Sequence, residues 1–179
     1  MSLDVHYLSL TALAEQLRKR SLSPVEVTEA LLARIETLNG KLKSYTTVTA
    51  DLALAQAKQA ETEIGQGRYR GPMHGVPIAV KDLCFTKGVK TTGGMTIYGD
   101  FTPDHDATTV TRLAQAGAVL LGKLNMTEGA GLEHHPDLPE PVNPWGKDVW
   151  TGVSSSGSGV ATASGLTYGA IGSDTGGSI

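Results

Sequence analysis

The chain has 179 residues, of which 40% are hydrophobic and 18% charged, and its formal net charge is −3. This balance is typical of a globular protein with an apolar core, and Lys and Arg form no basic stripe that would bind nucleic acid. The N-terminus does not resemble a signal peptide, and no run of eighteen apolar residues predicts a membrane span. We therefore expect a cytoplasmic protein with no membrane or nucleic-acid partner. One cysteine, Cys84, excludes an internal disulfide.

The first part of the chain, residues 1–70, predicts a layer of helices. Leucines recur on one helical face over residues 10–17. A second helix is expected to begin at Ser23, because serine is a good N-cap and a proline follows at the first helical position. Gly40 is its expected C-terminal stop. A third helix is expected over residues 51–64.

The rest of the chain, residues 71–179, predicts an α/β core. A short apolar run over residues 76–80 indicates a buried strand, and helical spacing follows over residues 108–116. A second buried strand is expected over residues 118–121. Strand, helix and strand in this order form a crossover unit, which implies parallel strands. A third strand is expected within residues 167–174.

Two patterns resemble ligand sites, but ordinary structural roles fit them better. The stretch GAVLLGKL has the spacing of a phosphate-binding loop ending at Lys123, yet its loop residues suit a strand, and leucine replaces the hydroxyl that holds magnesium. His134 and His135 lie in an irregular segment, residues 133–150, that holds four prolines. Adjacent extended residues point in opposite directions, and no further ligand has a convincing spacing. We therefore expect no cofactor and no metal.

The first buried strand is expected to end at Lys81 and Asp82. A lysine at a strand end commonly reaches solvent. A lysine held in an apolar site has a lowered pKa, because desolvation disfavours its charged form, and the neutral amine is a usable general base. The serine- and glycine-rich segments farther along the chain favour this second interpretation.

Two such segments occur, GVSSSGSG around Ser154 and DTGGS ending at Ser178. Serine–glycine clusters are usually flexible turns or linkers. Both of these are joined to nearby apolar elements, so neither is interpreted as a linker. Glycines permit unusual backbone angles and let several N–H groups converge on one point, which an oxyanion hole requires.

The segments GVPIAVKD, GVSSSGSG and GSDTGGSI, in this order, resemble the amidase signature family. The correspondence runs from about Ser9 to the last residue. It implies an α/β fold in which helices flank a mixed sheet behind an N-terminal helical layer. We expect residues 1–179 to be the N-terminal part of a single amidase domain, incomplete in this chain and ending just after the nucleophile motif.

The resemblance also implies a catalytic set that acts on a small-molecule amide. Ser178 would be the nucleophile, Ser154 the bridging serine next to a cis peptide bond, and Lys81 the base. Neutral Lys81 would accept a proton from Ser154, which takes one from Ser178. Ser178 would then attack the amide carbonyl and form an acyl-enzyme that water hydrolyses.

Four backbone N–H groups would form the oxyanion hole, those of Thr175, Gly176, Gly177 and Ser178. Ser155 would support the network, and Asp174 would be a hydrogen-bond acceptor that shapes the loop. Val153 and Ser156 stand where the commoner family version has glycines. This favours another branch over the glutaminase subunit of the tRNA-dependent amidotransferase, which is the runner-up among the enzymes.

A non-catalytic alternative is a truncated remnant that binds a partner or nothing. Family members continue well past the nucleophile serine, and half of a parallel sheet leaves an open edge that favours self-association. We therefore expect weak activity or none from the 179-residue chain, although its motifs are those of amide hydrolysis.

Overall fold

The computed structural model describes residues 5–179, and in this range it has five α-helices and four β-strands. The helices are α1 (Leu10–Arg18), α2 (Pro24–Leu42), α3 (Ala50–Gly65), α4 (Thr108–Gln115) and α5 (Ser156–Ala163). The strands are β1 (Tyr45–Val48), β2 (Pro77–Lys81), β3 (Val119–Leu124) and β4 (Ala170–Ile171). Three 3₁₀ helices cover Val5–Tyr7, Thr96–Tyr98 and Glu128–Ala130. Within the described range, no helix has the length and apolar character needed to cross a bilayer.

The second helix begins as the sequence predicts but ends later. The Ser23 hydroxyl accepts the N–H groups of Val25 and Glu26, so Ser23 is the N-cap of α2. The predicted stop at Gly40 is wrong. The helix continues to Leu42, and Lys43 ends it in the left-handed region with φ of 53°.

The sheet is mixed, with strand order β1-β3-β2-β4. Strand β2 pairs in parallel with both β3 and β4, and β1 pairs antiparallel with β3. The predicted crossover unit is therefore confirmed as β2, α4 and β3. Because β4 pairs with β2 alone among the described strands, it forms one edge of the sheet.

Three strand predictions needed correction. Strand β1 lies within the first seventy residues, for which the sequence predicts helices only. A four-residue strand between two helices has too little periodicity to be predicted from the sequence. Strand β3 continues three residues beyond the predicted end at Leu121, and all six of its residues are buried. The third predicted strand is only the two-residue β4.

Two apolar clusters cover the two faces of the sheet. Along β2, Ile78 and Val80 belong to the cluster beneath α1, whereas Ala79 belongs to the cluster formed with α2, α3 and α5. This alternation is the period of two that a strand imposes. Because both faces are covered, β2 and β3 are fully buried, and Lys81 at the end of β2 is buried with them.

Candidate active site

Lys81 is removed from solvent and surrounded by serine hydroxyls. Its Nζ lies 2.5 Å from Ser154 Oγ, 3.0 Å from Ser155 Oγ and 2.8 Å from Ser173 Oγ. Within residues 5–179 no carboxylate forms an ion pair with it. Burial lowers the pKa of Lys81, and the more distant Cys84 and Asp174 oppose this only in part. The site therefore favours the neutral amine relative to a lysine in water.

The proton positions in this cluster follow from the other contacts of Ser155. Its hydroxyl lies 2.5 Å from the Ser178 carbonyl oxygen, which can only accept. Ser155 therefore uses its one proton there and accepts an N–H from Lys81. A neutral amine has one further N–H and one lone pair for Ser154 and Ser173. Ser154 is the nearer, so the geometry suits transfer of its proton to Lys81.

The Ser154 segment is a tight turn that leads into α5. The peptide bond between Val153 and Ser154 is cis, and Ser154 is fully buried. Two residues after Ser155, a Cβ on Gly157 would lie 2.5 Å from backbone atoms of Asn125. Only glycine fits there without moving the backbone, which explains one of the glycines of the motif.

Ser178 reaches this cluster through its backbone. Its carbonyl oxygen accepts the Ser155 N–H at 3.2 Å as well as the Ser155 hydroxyl. Within residues 5–179 the Ser178 hydroxyl makes no hydrogen bond to Ser154. The structure thus brings Lys81, Ser154 and Ser155 into contact and places Ser178 next to them, without a hydroxyl-to-hydroxyl link.

The predicted oxyanion loop is folded around Asp174. Its Oδ1 accepts the N–H groups of Gly176 at 2.8 Å and Gly177 at 2.5 Å, and its Oδ2 accepts that of Ile179 at 3.2 Å. These backbone contacts, led by Gly177, lower the pKa of Asp174. Two of the four predicted oxyanion donors are therefore directed at this carboxylate, and an oxyanion would need them to turn away from it.

A cavity of about 560 Å³ lies beside Ser178. Its larger lining side chains are apolar, namely Trp150, Val153 and Ile179, and none of its lining side chains within residues 5–179 is charged. Ser155 and Ser178 also border it. An uncharged group of small-molecule size could occupy this space next to the serine cluster.

Sequence reasoning missed two features of this region. Ser173, the third hydroxyl on Lys81, directly precedes Asp174, and its position in the GSDTGGS motif was the only available signal. The second is a buried ion pair, in which Lys123 Nζ lies 3.2 Å from Asp82 Oδ1 with both side chains fully buried. Lys123 lies inside β3, so the interpretation of this stretch as a strand rather than a phosphate loop is confirmed, although the strand includes the residues that were expected to form the following turn.

Comparison with known proteins identifies the family of this chain. A family model described as "Amidase" matches residues 26–179. The chain belongs to the amidase family. It is 58% identical over 172 residues to "Putative amidase AmiD" of Mycobacterium tuberculosis, a match that covers 96% of this chain and 36% of the relative. It is also 46% identical to a glutamyl-tRNA(Gln) amidotransferase subunit of Methylococcus capsulatus, covering 98% of this chain and 36% of that protein.

Solved amidases share its fold. Native peptide amidase from Stenotrophomonas maltophilia matches with a TM-score of 0.90 and 34% identity, over 98% of this chain and 38% of that one. A fatty acid amide hydrolase matches with a TM-score of 0.91 and 28% identity, over 98% of this chain and 31% of that one. The predicted family and α/β fold are therefore confirmed. The chain spans just over a third of the length of the curated relatives it matches.

Proposed function

We propose that this chain carries the catalytic serines and lysine of an amide hydrolase. The observation that carries the proposal is the buried Lys81, which is bonded to three serine hydroxyls and, within residues 5–179, to no carboxylate. A lysine with a carboxylate partner would be held in its charged form, whereas desolvation beside neutral hydroxyls favours the free amine. Membership of the amidase family supports the same chemistry.

In the proposed reaction, Ser178 is the nucleophile. It gives its hydroxyl proton to Ser154, and Ser154 gives its own hydroxyl proton to Lys81. Attack on the amide carbonyl gives a tetrahedral oxyanion, and the protonated relay then gives a proton to the leaving amine. Water hydrolyses the resulting acyl-enzyme by the reverse proton path. Backbone N–H groups of residues 175–178 stabilise the oxyanion once the loop releases those of Gly176 and Gly177 from Asp174.

A glutaminase like that of the tRNA-dependent amidotransferase is the second candidate, because glutamyl-tRNA(Gln) amidotransferase subunits occur among the relatives. Free glutamine carries an ammonium and a carboxylate, which both need partners in a binding site. Among the described residues, no charged side chain lines the cavity beside Ser178. The lining that this chain contributes therefore suits an uncharged amide group better than these two charges.

We further propose that residues 1–179 form part of one amidase domain, and that the open edge of β4 permits self-association. Strand β4 has a partner on one side only within the described residues. Sedimentation at several concentrations tests this proposal. A monomer at every concentration would contradict it.

A serine-reactive fluorophosphonate tests the central proposal. We expect one adduct on Ser178, located by intact mass and peptide mapping, and no adduct in Ser178→Ala. Adducts elsewhere, or none under conditions where a longer family member reacts, would contradict the proposal and favour the non-catalytic alternative.

A further inference from the structure

The turn of residues 154–157 is held at every position. Three of its contacts are between backbone atoms, joining Ser154 to Thr127, Ser155 to Ser178, and Gly157 to Asn125. The fourth joins two side chains. The hydroxyl of Ser156 lies 3.1 Å from Nε2 of the His134 ring. Together with the Lys81 contacts to Ser154 and Ser155, this is a contact of the turn that can change with pH.

Ser156 depends on His134. Its side chain is 1% exposed, and His134 is its only side-chain partner within residues 5–179. A hydroxyl has one proton to donate, and a buried hydroxyl without an acceptor is unfavourable. Ser156 therefore donates to Nε2, which places the ring proton of neutral His134 on Nδ1.

His134 also closes a loop onto this turn. Residues 127–135 form the loop, whose ends are joined by the Glu128 N–H and the Glu133 carbonyl at 2.9 Å. Thr127 at one end donates its N–H to the Ser154 carbonyl at 3.2 Å. His134 at the other end binds Ser156. The loop therefore bonds the catalytic turn on both sides of Ser155, through Thr127 at Ser154 and through His134 at Ser156.

We infer that His134 is a positioning residue, which fixes Ser154 against Lys81 by accepting the hydroxyl proton of Ser156, and that protonation of Nε2 removes this acceptor, because the charged ring can only donate to the Ser156 oxygen. The inference rests on the proposed function, because it assigns Ser154 a place in the relay. Ser156 stands where the commoner family motif has glycine, so the motif gives this pair no role.

The surroundings set the direction of the pH response. Burial lowers the pKa of His134, and Glu140 raises it in part. Residues 151–163, which include the turn and α5, hold no titratable side chain, and Lys81 bonds Ser154 from the other side of the turn. The other titratable side chains on the His134 segment are those of Glu128, Glu133, His135 and Asp137. Ser156 therefore keeps its acceptor at neutral pH and loses it as the pH falls below the ordinary histidine range, which leaves the Ser156 proton without a partner among the described side chains.

Variants at position 134 test the inference through the rate of adduct formation on Ser178. His134→Gln keeps an acceptor near the Nε2 position and cannot be protonated, whereas His134→Ala removes the acceptor. At neutral pH we expect the Gln variant to react like the unmodified chain and the Ala variant about tenfold slower, the effect of leaving one buried hydroxyl unpaired. In acid, the unmodified chain should lose rate relative to the Gln variant.

His135→Gln is the matched control. The His135 ring bonds Thr96 at 3.2 Å and the Asp137 N–H at 3.1 Å, and among the described residues it has no hydrogen bond to the turn. We expect its pH profile to match the unmodified chain. An Ala variant as fast as the unmodified chain, or identical acid profiles for the unmodified chain and His134→Gln, would overturn the inference.

A measurement that needs no chemistry separates this inference from the proposed function. In NMR titrations, the Ser156 amide signal should follow the protonation of His134 in the unmodified chain and stay still in His134→Gln. If it does so while Ser178 never reacts, the proposed function fails and the His134 contact stands. If the Ser156 signal ignores His134, the inference is wrong whatever Ser178 does.

Discussion

Lys81 and Lys123 lie at the ends of neighbouring strands, and both are fully removed from solvent. Their partners differ. Lys81 touches three hydroxyls, whereas Lys123 lies 3.2 Å from the Asp82 carboxylate and donates to Thr91 at 2.6 Å. Burial lowers the pKa of each lysine, and for Lys123 the adjacent Asp82 opposes that shift. Both lysines are buried, so the difference lies in the groups that they contact. Hydroxyl partners leave Lys81 suited to proton transfer, whereas the carboxylate partner of Lys123 makes it part of a stabilising ion pair.

The largest expected effect is on the chemistry at Lys81. Lys81→Ala removes the base, which typically contributes about 10²–10⁴-fold, so adduct formation on Ser178 should fall by that order. Circular dichroism should show an unchanged fold. A variant that reacts within about threefold of the unmodified chain would show that Lys81 is not the base.

The second prediction concerns stability at Lys123. Lys123→Met leaves the Asp82 carboxylate buried without its cation, and Asp82 Oδ1 has no hydrogen bond of its own among the described residues. Unfolding in urea should show a loss of about 3–5 kcal/mol. The double variant Lys123→Met with Asp82→Asn should recover part of this loss. A double variant no more stable than the single one would contradict the pairing.

Ser173→Ala should have a smaller effect on Lys81. Removing one acceptor destabilises the ammonium, so the pKa of Lys81 falls further and the acid limb of the Ser178 reaction moves to lower pH. The maximal rate of the Ser178 reaction should fall by up to about tenfold, because the Lys81 amine loses one of the three hydroxyls that orient it. Ser164→Ala, which removes a buried hydroxyl with no partner among the described residues, is the control and should leave the profile unchanged.

The smallest effect is expected far from both lysines. Glu63 pairs with Arg70 at 2.6 Å, and this contact lowers the pKa of Glu63 from 4.5 to about 2. The pair therefore stabilises the fold above the ordinary pKa, and this contribution is lost as pH falls toward about 2. Glu63→Gln should lower the free energy of unfolding by about 1 kcal/mol or less at neutral pH. It should also reduce the loss of stability between neutral pH and acid, measured by urea unfolding. A loss of stability in acid equal to that of the unmodified chain would contradict the role of Glu63.

Much of the fold could be predicted, because its signals are local. Ser23 and the leucine spacing specify helices, and the apolar runs before Lys81 and around Leu121 specify buried strands. Strand β1 could not be predicted, since its four residues are a strand through their pairing with β3. The continuation of α2 beyond Gly40 also depends on a contact with strand β1. The Asn39 side chain accepts the Tyr45 N–H at 2.8 Å, a contact that joins the helix end to the strand.

In the candidate site, too, features carried by local sequence motifs could be predicted, whereas contacts between distant residues could not. Motif order selected Lys81, Ser154 and Ser178 as candidates, and the adjacent histidines were expected to point apart. His134 contacts Ser156 and His135 contacts Thr96. The contact with Ser156 could not be predicted, because it joins residues 22 positions apart across an irregular segment. The bonds from Gly176 and Gly177 to Asp174 depend on loop geometry that the motif does not specify.

The most direct test of the account follows Lys81 itself. The protonation of its Nζ can be measured by NMR on selectively labelled lysine, beside the pH dependence of the Ser178 reaction in the same sample. Lys81 is expected to lose its proton below the ordinary lysine pKa of 10.5, and the reaction rate is expected to rise with the same midpoint. A Lys81 that titrates like a lysine in water, or a rate that follows a different group, would contradict the proposed role of Lys81 as the base.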